Sequence, residues 1–304
     1  MHLRSSGGAV QRGPAARRHL LYFGRFNQEV TTQSPSIGSV SLMGARGPSL
    51  LYLLRQLVWR DIRSRYLGSL VGIFWSLLNP ALQLIVYTLV FWMIVPDRLV
   101  SSDSTASFPE LLFCGLLPFL ALQESISRAA RVLLEFSGLI KKAAIQLEVL
   151  PLSLVLSALL HQLLGTFVLA VVVAFTGSLS LATLPWLVPL LALQAALMIG
   201  PALLVAAVNV LFRDLAQMVS VGFMVLFWTT PIVYSRGGEI PSTVNWLLAL
   251  NPLTHLVEGY RFAFFGTPEP SLVGLAYCAV WAGLLLGVGY RVLRRTRPLL
   301  LDLV

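Results

Sequence analysis

The sequence predicts an all-α integral membrane protein with six membrane-spanning helices, and three observations support this fold class. First, 57% of the 304 residues are hydrophobic and 12% are charged, whereas soluble domains carry about 25% charged residues. Second, residues 66–95 contain no Asp, Glu, Lys or Arg, and about 20 apolar residues suffice for a helix to cross the bilayer. Third, residues 149–212 are also free of these charges, which leaves room for two further spans.

The charge pattern restricts the possible functions. Lys and Arg number 22 against 13 Asp and Glu, for a formal net charge of +9. In a membrane protein this excess sets orientation and contacts anionic lipids, so we predict membrane lipids as partners and no nucleic acid. The only lysines, Lys141 and Lys142, do not follow glycine, so the G-x-x-x-x-G-K-[ST] phosphate loop is missing. If ATP drives this protein, another chain must hydrolyse it.

The N-terminal region divides into two parts. Residues 1–48 are rich in Gly, Ser, Pro and Arg and predict a disordered cytoplasmic arm, with a lipid- or partner-binding tail as the alternative. Residues 49–66 predict an amphipathic helix in the membrane interface, capped by Ser49. Its arginines are expected to face lipid headgroups. A sharper hypothesis is that three of them meet the phosphate of a lipid-linked substrate: Arg60, Arg63 and Arg65.

Six apolar segments form the predicted transmembrane domain, residues 67–291. The spans cover about 67–95, 108–127, 152–175, 186–211, 215–234 and 271–290. A cytoplasmic tail follows at residues 292–304. Cys114 and Cys278 fall singly within spans, so we expect small buried apolar residues rather than metal ligands.

Basic residues near the span ends predict the orientation, because the cytoplasmic side carries the excess of Lys and Arg. One side has three of them, Arg98, Arg236 and Arg261. The opposite side has thirteen: Arg55, Arg60, Arg63, Arg65, Arg128, Arg131, Lys141, Lys142, Arg213, Arg291, Arg294, Arg295 and Arg297. Both termini are therefore predicted to be cytoplasmic.

Two connecting segments have more structure than a simple loop needs. Residues 137–148 predict a short amphipathic helix on the cytoplasmic side, whose apolar face suggests a docking surface for a partner. The alternative is a helix lying on the membrane. On the external side, two short helical pieces flank Asn251-Pro252. They suggest a re-entrant pair that acts as a gate, and the alternative is an ordinary exposed loop.

The chemistry-bearing side chains are few, and no catalytic residue, cofactor site or metal cluster is predicted. His161 lies inside the third span and Glu124 near the end of the second. Each is interpreted as a packed polar residue or, alternatively, as part of a proton relay. Arg213-Asp214 is interpreted as an ion pair that ends a span, with a mechanical role as the alternative.

Aromatic side chains concentrate in the first and fifth spans. Some are expected to face lipid or the membrane interface. The functional hypothesis is a channel whose flat apolar faces slide past sugar rings. The candidates are Phe74, Trp75, Tyr87, Phe91, Phe223, Phe227 and Tyr234.

Four stretches together resemble the membrane-spanning permease of type-2 ATP-binding-cassette exporters for polysaccharides such as O-antigen, capsule and teichoic acid. The resemblance covers about residues 50–295. The stretches are LVWRDIRSRYLGSLVGIFWSLLNPALQLIVY (57–87), LIKKAAIQLEVLPLS (139–153), NVLFRDLAQMV (209–219), and TTPIVYS (229–235) with NPLTHLVEGYRFAFFG (251–266).

The resemblance implies a homodimer in the bacterial cytoplasmic membrane, with a channel lined by the first and fifth spans. Two separate ATPase subunits would dock from the cytoplasm and hold the ATP and Mg²⁺. The family usually has an aromatic-Pro pair in its coupling helix, where this chain has residues 143–146, AAIQ. The implied coupling residues are Leu139, Ile140, Lys141, Lys142, Leu147 and Glu148, and the implied outer-gate residues are Asn251, Pro252, Glu258 and Arg261.

The predicted function is therefore ATP-driven export of a lipid-linked polysaccharide or polyol-phosphate polymer, with this chain as a transport subunit and not an enzyme. A type-2 exporter of a drug or lipid is one alternative. An ion-coupled secondary transporter is another, and it would need intramembrane charges such as His161 or Glu124. A scaffold without transport would need no hydrophilic path.

Overall fold

The computed structural model describes residues 50–66, 75–94, 106–142, 146–234 and 241–303, all within one compact unit, residues 48–304. The predicted arm at 1–48 and the start of the first span lie outside the described residues. The helices are α1 (Leu50–Tyr66), α2 (Trp75–Ile94), α3 (Phe108–Glu135), α4 (Ser137–Lys142), α5 (Val149–Thr176), α6 (Leu187–Leu211), α7 (Leu215–Thr229), α8 (Ser242–Ala249), α9 (Pro252–Phe265) and α10 (Leu272–Leu303). A short 3₁₀ turn, Leu184–Trp186, precedes α6.

Helix α3 forms the centre of the bundle. It packs against α5 and α6 over most of its length and also contacts α2, α7 and α9. Its sequence favours a sharp start, because Pro109 lies in the first turn and the Glu110 carboxylate accepts the Ser107 amide at 2.9 Å. Two-thirds of its most apolar 18-residue stretch is buried inside the protein. Helix α3 is therefore the central helix against which the others pack.

Helices α6 and α10 form the most extensive pair in the bundle. They cross where Gly200 of α6 faces Gly289 of α10. A Cβ atom at Gly200 would lie 2.5 Å from the amide nitrogen of Leu286. Such small residues let two membrane helices bring their backbones into contact, and dispersion forces along the crossing then stabilise the pair.

The prediction of an all-α membrane protein is confirmed for the described residues. Four helical segments in that part of the chain are long and apolar enough to span a bilayer: Phe108–Glu135, Val149–Thr176, Leu184–Leu211 and Leu272–Leu300. Two shorter apolar segments, Leu78–Val90 and Leu215–Thr229, fall within the predicted first and fifth spans. The count of six spans stays a prediction.

Candidate functional site

The C-terminal half of α1 is joined to α3 and α5 by a group of polar side chains that we call the Asp61 cluster: Asp61, Arg65, Glu124, Arg128 and Ser157. Arg65 donates to Asp61 at 3.2 Å and also to Glu124. Arg128 donates to both Asp61 oxygens, one at 3.1 Å, and to Glu124 at 3.2 Å. The Ser157 hydroxyl donates to Asp61. Three helices that are distant in sequence therefore meet at one carboxylate.

The cluster keeps Asp61 ionised. Burial raises the pKa of its carboxyl group, but the hydrogen bonds from Arg128 and Ser157 and the charges of Arg128 and Arg65 outweigh that effect. The result is a pKa lowered to about 2. A pKa below that of the unfolded chain means that the ionised carboxylate stabilises the folded state.

We expect Asp61→Asn to lower the free energy of unfolding by about 2 kcal/mol at pH 7, because the lowered pKa corresponds to roughly that interaction energy. The stabilisation is complete above the unfolded pKa near 4 and is lost as the pH falls through about 2. Thermal unfolding of the purified chain in detergent, compared at pH 7 and pH 3, measures this difference. A wild-type advantage that does not shrink between those two pH values would contradict the assignment.

Two cavities border the Asp61 cluster, and Ser127 and Arg128 line both. The arginine cavity has a volume of about 670 Å³ and contains three guanidinium groups among serine hydroxyls. Its polar lining is Arg60, Asp61, Ser64, Ser127, Arg128, Arg131, Glu135, Ser153 and Ser220. The amide cavity has a volume of about 440 Å³ and lies between α2, α3 and α5. Its polar lining is Asn79, Gln83, Gln123, Glu124, Ser127, Arg128, His161 and Gln162.

The three arginines predicted to meet a substrate phosphate are placed differently. Arg60 lines the arginine cavity, with its guanidinium 4.5 Å from the centre of the Phe136 ring. Arg63 stacks over Trp59 at 5.1 Å, and Arg65 is engaged in the Asp61 cluster. The sequence interpretation missed Arg128 and Arg131 as cavity residues. Their spacing of three positions at the end of the second span would have indicated a shared basic face.

A second polar network, also missed from the sequence, lies buried among four helices. Gln162 of α5 and Gln194 of α6 donate to one another's side-chain oxygens at 3.0 and 2.7 Å. Tyr260 of α9 donates to Gln194 at 2.5 Å, and Gln194 also donates to the carbonyl of Pro118 in α3 at 3.2 Å. Polar groups within apolar segments must find internal partners, and two glutamines in a charge-free stretch were the available signal.

The predicted coupling segment turns part of its apolar face toward its own protein. Ile140 and Leu147 are buried, at 5% and 1% exposure. Lys141 is exposed, and Glu148 is half-buried at the start of α5. The side chains of Leu139 and Lys142 and all of residues 143–145 lie outside the described part of the chain. Among the described residues of this segment, the exposed side chains include Lys141 and Gln146.

The channel candidates in α7 pack mainly inward. Phe223 is buried and meets Phe119 of α3 edge to face at 6.0 Å, and Phe227 meets the same ring at 5.5 Å. The Tyr234 hydroxyl donates to the carbonyl of Trp228, whose own side chain is 63% exposed. Tyr87 of α2 is half-buried. Phe74 and the side chains of Trp75 and Phe91 lie outside the described residues.

The two pieces predicted to be external form α8 and α9, which break at the predicted Asn251-Pro252 position. The Asn251 side chain caps α9 by accepting the Leu253 amide at 3.0 Å. It also donates to the Thr229 carbonyl at 3.3 Å and the Thr230 hydroxyl at 2.9 Å. Twelve of the fourteen residues of α9 are buried, including the predicted gate residue Arg261. The carboxylate of Glu258 lies 3.7 Å from His255.

A family model described as ABC-2 type transporter matches residues 52–265. The chain belongs to the ABC-2 type transporter family. The match begins within α1 and ends with α9, so the Asp61 cluster, both cavities and helices α8 and α9 lie inside the family domain. An ABC-2 chain is a transport permease subunit rather than an enzyme, and it is a multi-pass membrane protein. ABC-2 permeases normally pair with an ATPase subunit.

Curated relatives show the same family over most of their length. The chain is 30% identical over 242 residues to the O-antigen export system permease protein RfbA of Myxococcus xanthus, covering 76% of this chain and 89% of that relative. It is 29% identical over 230 residues to RfbA of Klebsiella pneumoniae, covering 75% and 86%. It is 24% identical over 243 residues to the polysialic acid transport protein KpsM of Escherichia coli, covering 78% and 90%. The ABC-2 exporter permease predicted from the sequence motifs is thereby confirmed.

Proposed function

We propose that this ABC-2 chain is the membrane subunit of an exporter that moves a lipid-linked polysaccharide, or a related polyol-phosphate polymer, out across the bacterial cytoplasmic membrane. One observation carries the proposal. Relatives named for O-antigen export and polysialic acid transport align over 86–90% of their own length. The basic cavity beside α1 adds support, because guanidinium groups recognise phosphate through paired hydrogen bonds.

The proposed assembly contains two copies of this chain with six spans each and both termini in the cytoplasm. Two copies of a separate ATPase subunit would hold ATP and Mg²⁺, because this sequence has no phosphate loop of its own. The two shorter apolar helices, α2 and α7, would complete the six spans. Their exposed apolar side chains, such as Ile85 and Met224, are suited to lipid or to the second copy.

The substrate would enter beside α1 and leave past α9. We place the phosphate of the lipid carrier in the arginine cavity, with Arg60, Arg128 and Arg131 as its cationic contacts. Aromatic faces of the first and fifth spans would line the sugar path. Because Phe223 and Phe227 pack on Phe119, the exposed ring of Trp228 is a better candidate in α7. Asn251, Pro252, Glu258 and Arg261 would hold the external gate.

The test is purification of the tagged chain from its native membrane in mild detergent, with co-purifying proteins identified and ATPase activity measured. We expect a stoichiometric subunit that carries a phosphate loop. Lys141→Glu should lower substrate-dependent ATPase activity at least about tenfold, because reversing one exposed interface charge costs about 1.4 kcal/mol or more. Its effect on thermal stability should be small, since Lys141 is exposed.

The matched control in the same segment is Leu147→Ala. Leu147 is 1% exposed, so its truncation should lower stability by about 2–4 kcal/mol without specifically weakening the ATPase subunit's binding. A purified chain with no ATPase partner would instead favour an ion-coupled transporter or a scaffold. His161 and Glu124, which both line the amide cavity, would then be the first residues to replace.

A further inference from the structure

Helix α1 has little apolar packing to hold it on the bundle. Among residues 50–65, Val58 is the one buried apolar side chain, at 6% exposure. Leu51, Tyr52 and Trp59 are more than half exposed, at 76%, 55% and 54%. The helix contacts α5, and its links to α3 include the Asp61 cluster. The ion pairs of this cluster therefore provide a charged attachment of α1 to α3.

The Asp61 cluster is balanced in charge and partly hydrated. Each of its two carboxylates contacts both of its arginines, Arg65 and Arg128. The four side chains are between 12% and 36% exposed. Ion pairs at that exposure can exchange partners with an arriving anion more readily than buried ones, since water already reaches them. Arg60 and Arg131 add positive charge on the side of the arginine cavity.

We propose that Asp61 and Glu124 are internal anions that occupy Arg128 until a phosphate or diphosphate group enters the arginine cavity and takes their place at this arginine, which loosens α1 from α3. The proposal rests on the proposed function, because it requires a phosphate-bearing carrier. A diphosphate matches the two negative charges of the carboxylates and can accept paired hydrogen bonds from each guanidinium. The exchange would make substrate access conditional on the correct headgroup.

The experiment follows the motion of α1 with a nitroxide attached to Leu51→Cys in the full-length chain, in nanodiscs of neutral lipid. Leu51 is exposed, whereas Cys114 and Cys278 are buried at 1% and 0% exposure, so labelling is selective. A polyprenyl diphosphate is titrated into the nanodiscs. Phosphatidylglycerol in the nanodisc at equal charge and pyrophosphate in solution are titrated separately, which distinguishes a carrier headgroup from general membrane charge and from free phosphate.

We expect the polyprenyl diphosphate to mobilise the wild-type label and Asp61→Asn to mobilise it without any added lipid. In Glu124→Gln, the concentration of diphosphate that gives half-maximal mobility of the label should fall about tenfold, because a competing charge-assisted interaction has been removed. The control is Glu269→Gln, the same change at an exposed carboxylate between α9 and α10 that lines neither cavity. Its replacement should leave the titration unchanged.

Three results would overturn the exchange. In the first, Asp61→Asn behaves like Glu269→Gln. In the second, phosphatidylglycerol acts as strongly as the diphosphate, and in the third, the diphosphate has no effect on wild type. A cell-surface assay for polysaccharide, run in parallel, separates this proposal from the cargo assignment. If polysaccharide is exported but α1 does not respond to diphosphate, the exchange proposal alone is rejected. If α1 responds to diphosphate but no polysaccharide is exported, the assignment of polysaccharide as the cargo alone is rejected.

Discussion

Replacing Gly289 with valine is expected to remove most of the folded protein. A Cβ atom at Gly289 would overlap the carbonyl oxygen of Gly200 and lie 3.3 Å from the amide nitrogen of Leu204. These atoms are backbone of α6, so no side-chain rotation can relieve the overlap. Helices α6 and α10 would have to separate along their whole contact. Overpacking costs about 1–3 kcal/mol and occasionally more, and an overlap between two backbones lies at the upper end, a large part of the total stability of a typical domain.

Two glycines on the same helix provide matched controls for this prediction. A Cβ atom at Gly283 or Gly287 meets nothing within 4 Å. Valine at either position should therefore change stability by about 0.5 kcal/mol or less. The measurement is the yield of monodisperse protein on size-exclusion chromatography in detergent, together with its midpoint of thermal unfolding. If all three valine variants behave alike, the helix crossing at Gly200 and Gly289 does not determine the fold.

The helices of this protein could be predicted from sequence because their signals are local. Charge-free runs and the Asn251-Pro252 break can be seen along the chain without knowledge of distant contacts. The rotation of each helix about its own axis, which decides the face that packs against protein, is harder to predict from sequence. In a segment such as α5, apolar residues occur on every side, so hydropathy cannot tell which face meets protein and which meets lipid. The sequence proposed Phe223 and Phe227 as channel residues, and it could not show that both rings also pack on Phe119.

Polar partners were less predictable than helices. Asp61 and Arg128 are 67 positions apart, and Gln194 and Tyr260 are 66 apart. Nothing in the local pattern of either residue specifies its partner. Polar groups in apolar segments need partners, and the sequence analysis therefore predicted that Glu124 is either a packed polar residue or part of a proton relay. The structure supplies the partners, and with them the argument that Arg65 belongs to an ion-pair network.

Arg261 of α9 illustrates the same point. It is one of three basic residues predicted on the external side, yet its side chain is only 7% exposed. The guanidinium donates to the carbonyl of Ile232 at 2.7 Å and to that of Leu111 at 3.4 Å. Ile232 follows the end of α7, and Asn251, the N-cap of α9, donates to Thr229 and Thr230 of the same segment. Two positions of α9 and its cap therefore satisfy carbonyls at the end of α7 that lack a partner within that helix.

Arg261→Met is expected to loosen the end of α7 and to lower the free energy of unfolding by about 2–3 kcal/mol. Methionine keeps much of the side-chain volume but leaves two buried carbonyls without their donor, at about 1–3 kcal/mol each, partly offset because no charge need be desolvated. Hydrogen exchange should rise in residues 226–232 of the purified chain and stay unchanged in α5.

The control for this substitution is Arg213→Met, the same change at an exposed arginine just before α7. It should affect neither stability nor exchange by a comparable amount. Unchanged exchange at residues 226–232 in Arg261→Met would show that the arginine does not hold this segment. If the exchange does rise there, Arg261 couples the end of α7 to helix α9. A gate built from α9 could then open only when α7 moves, which would link the external gate directly to the proposed sugar path.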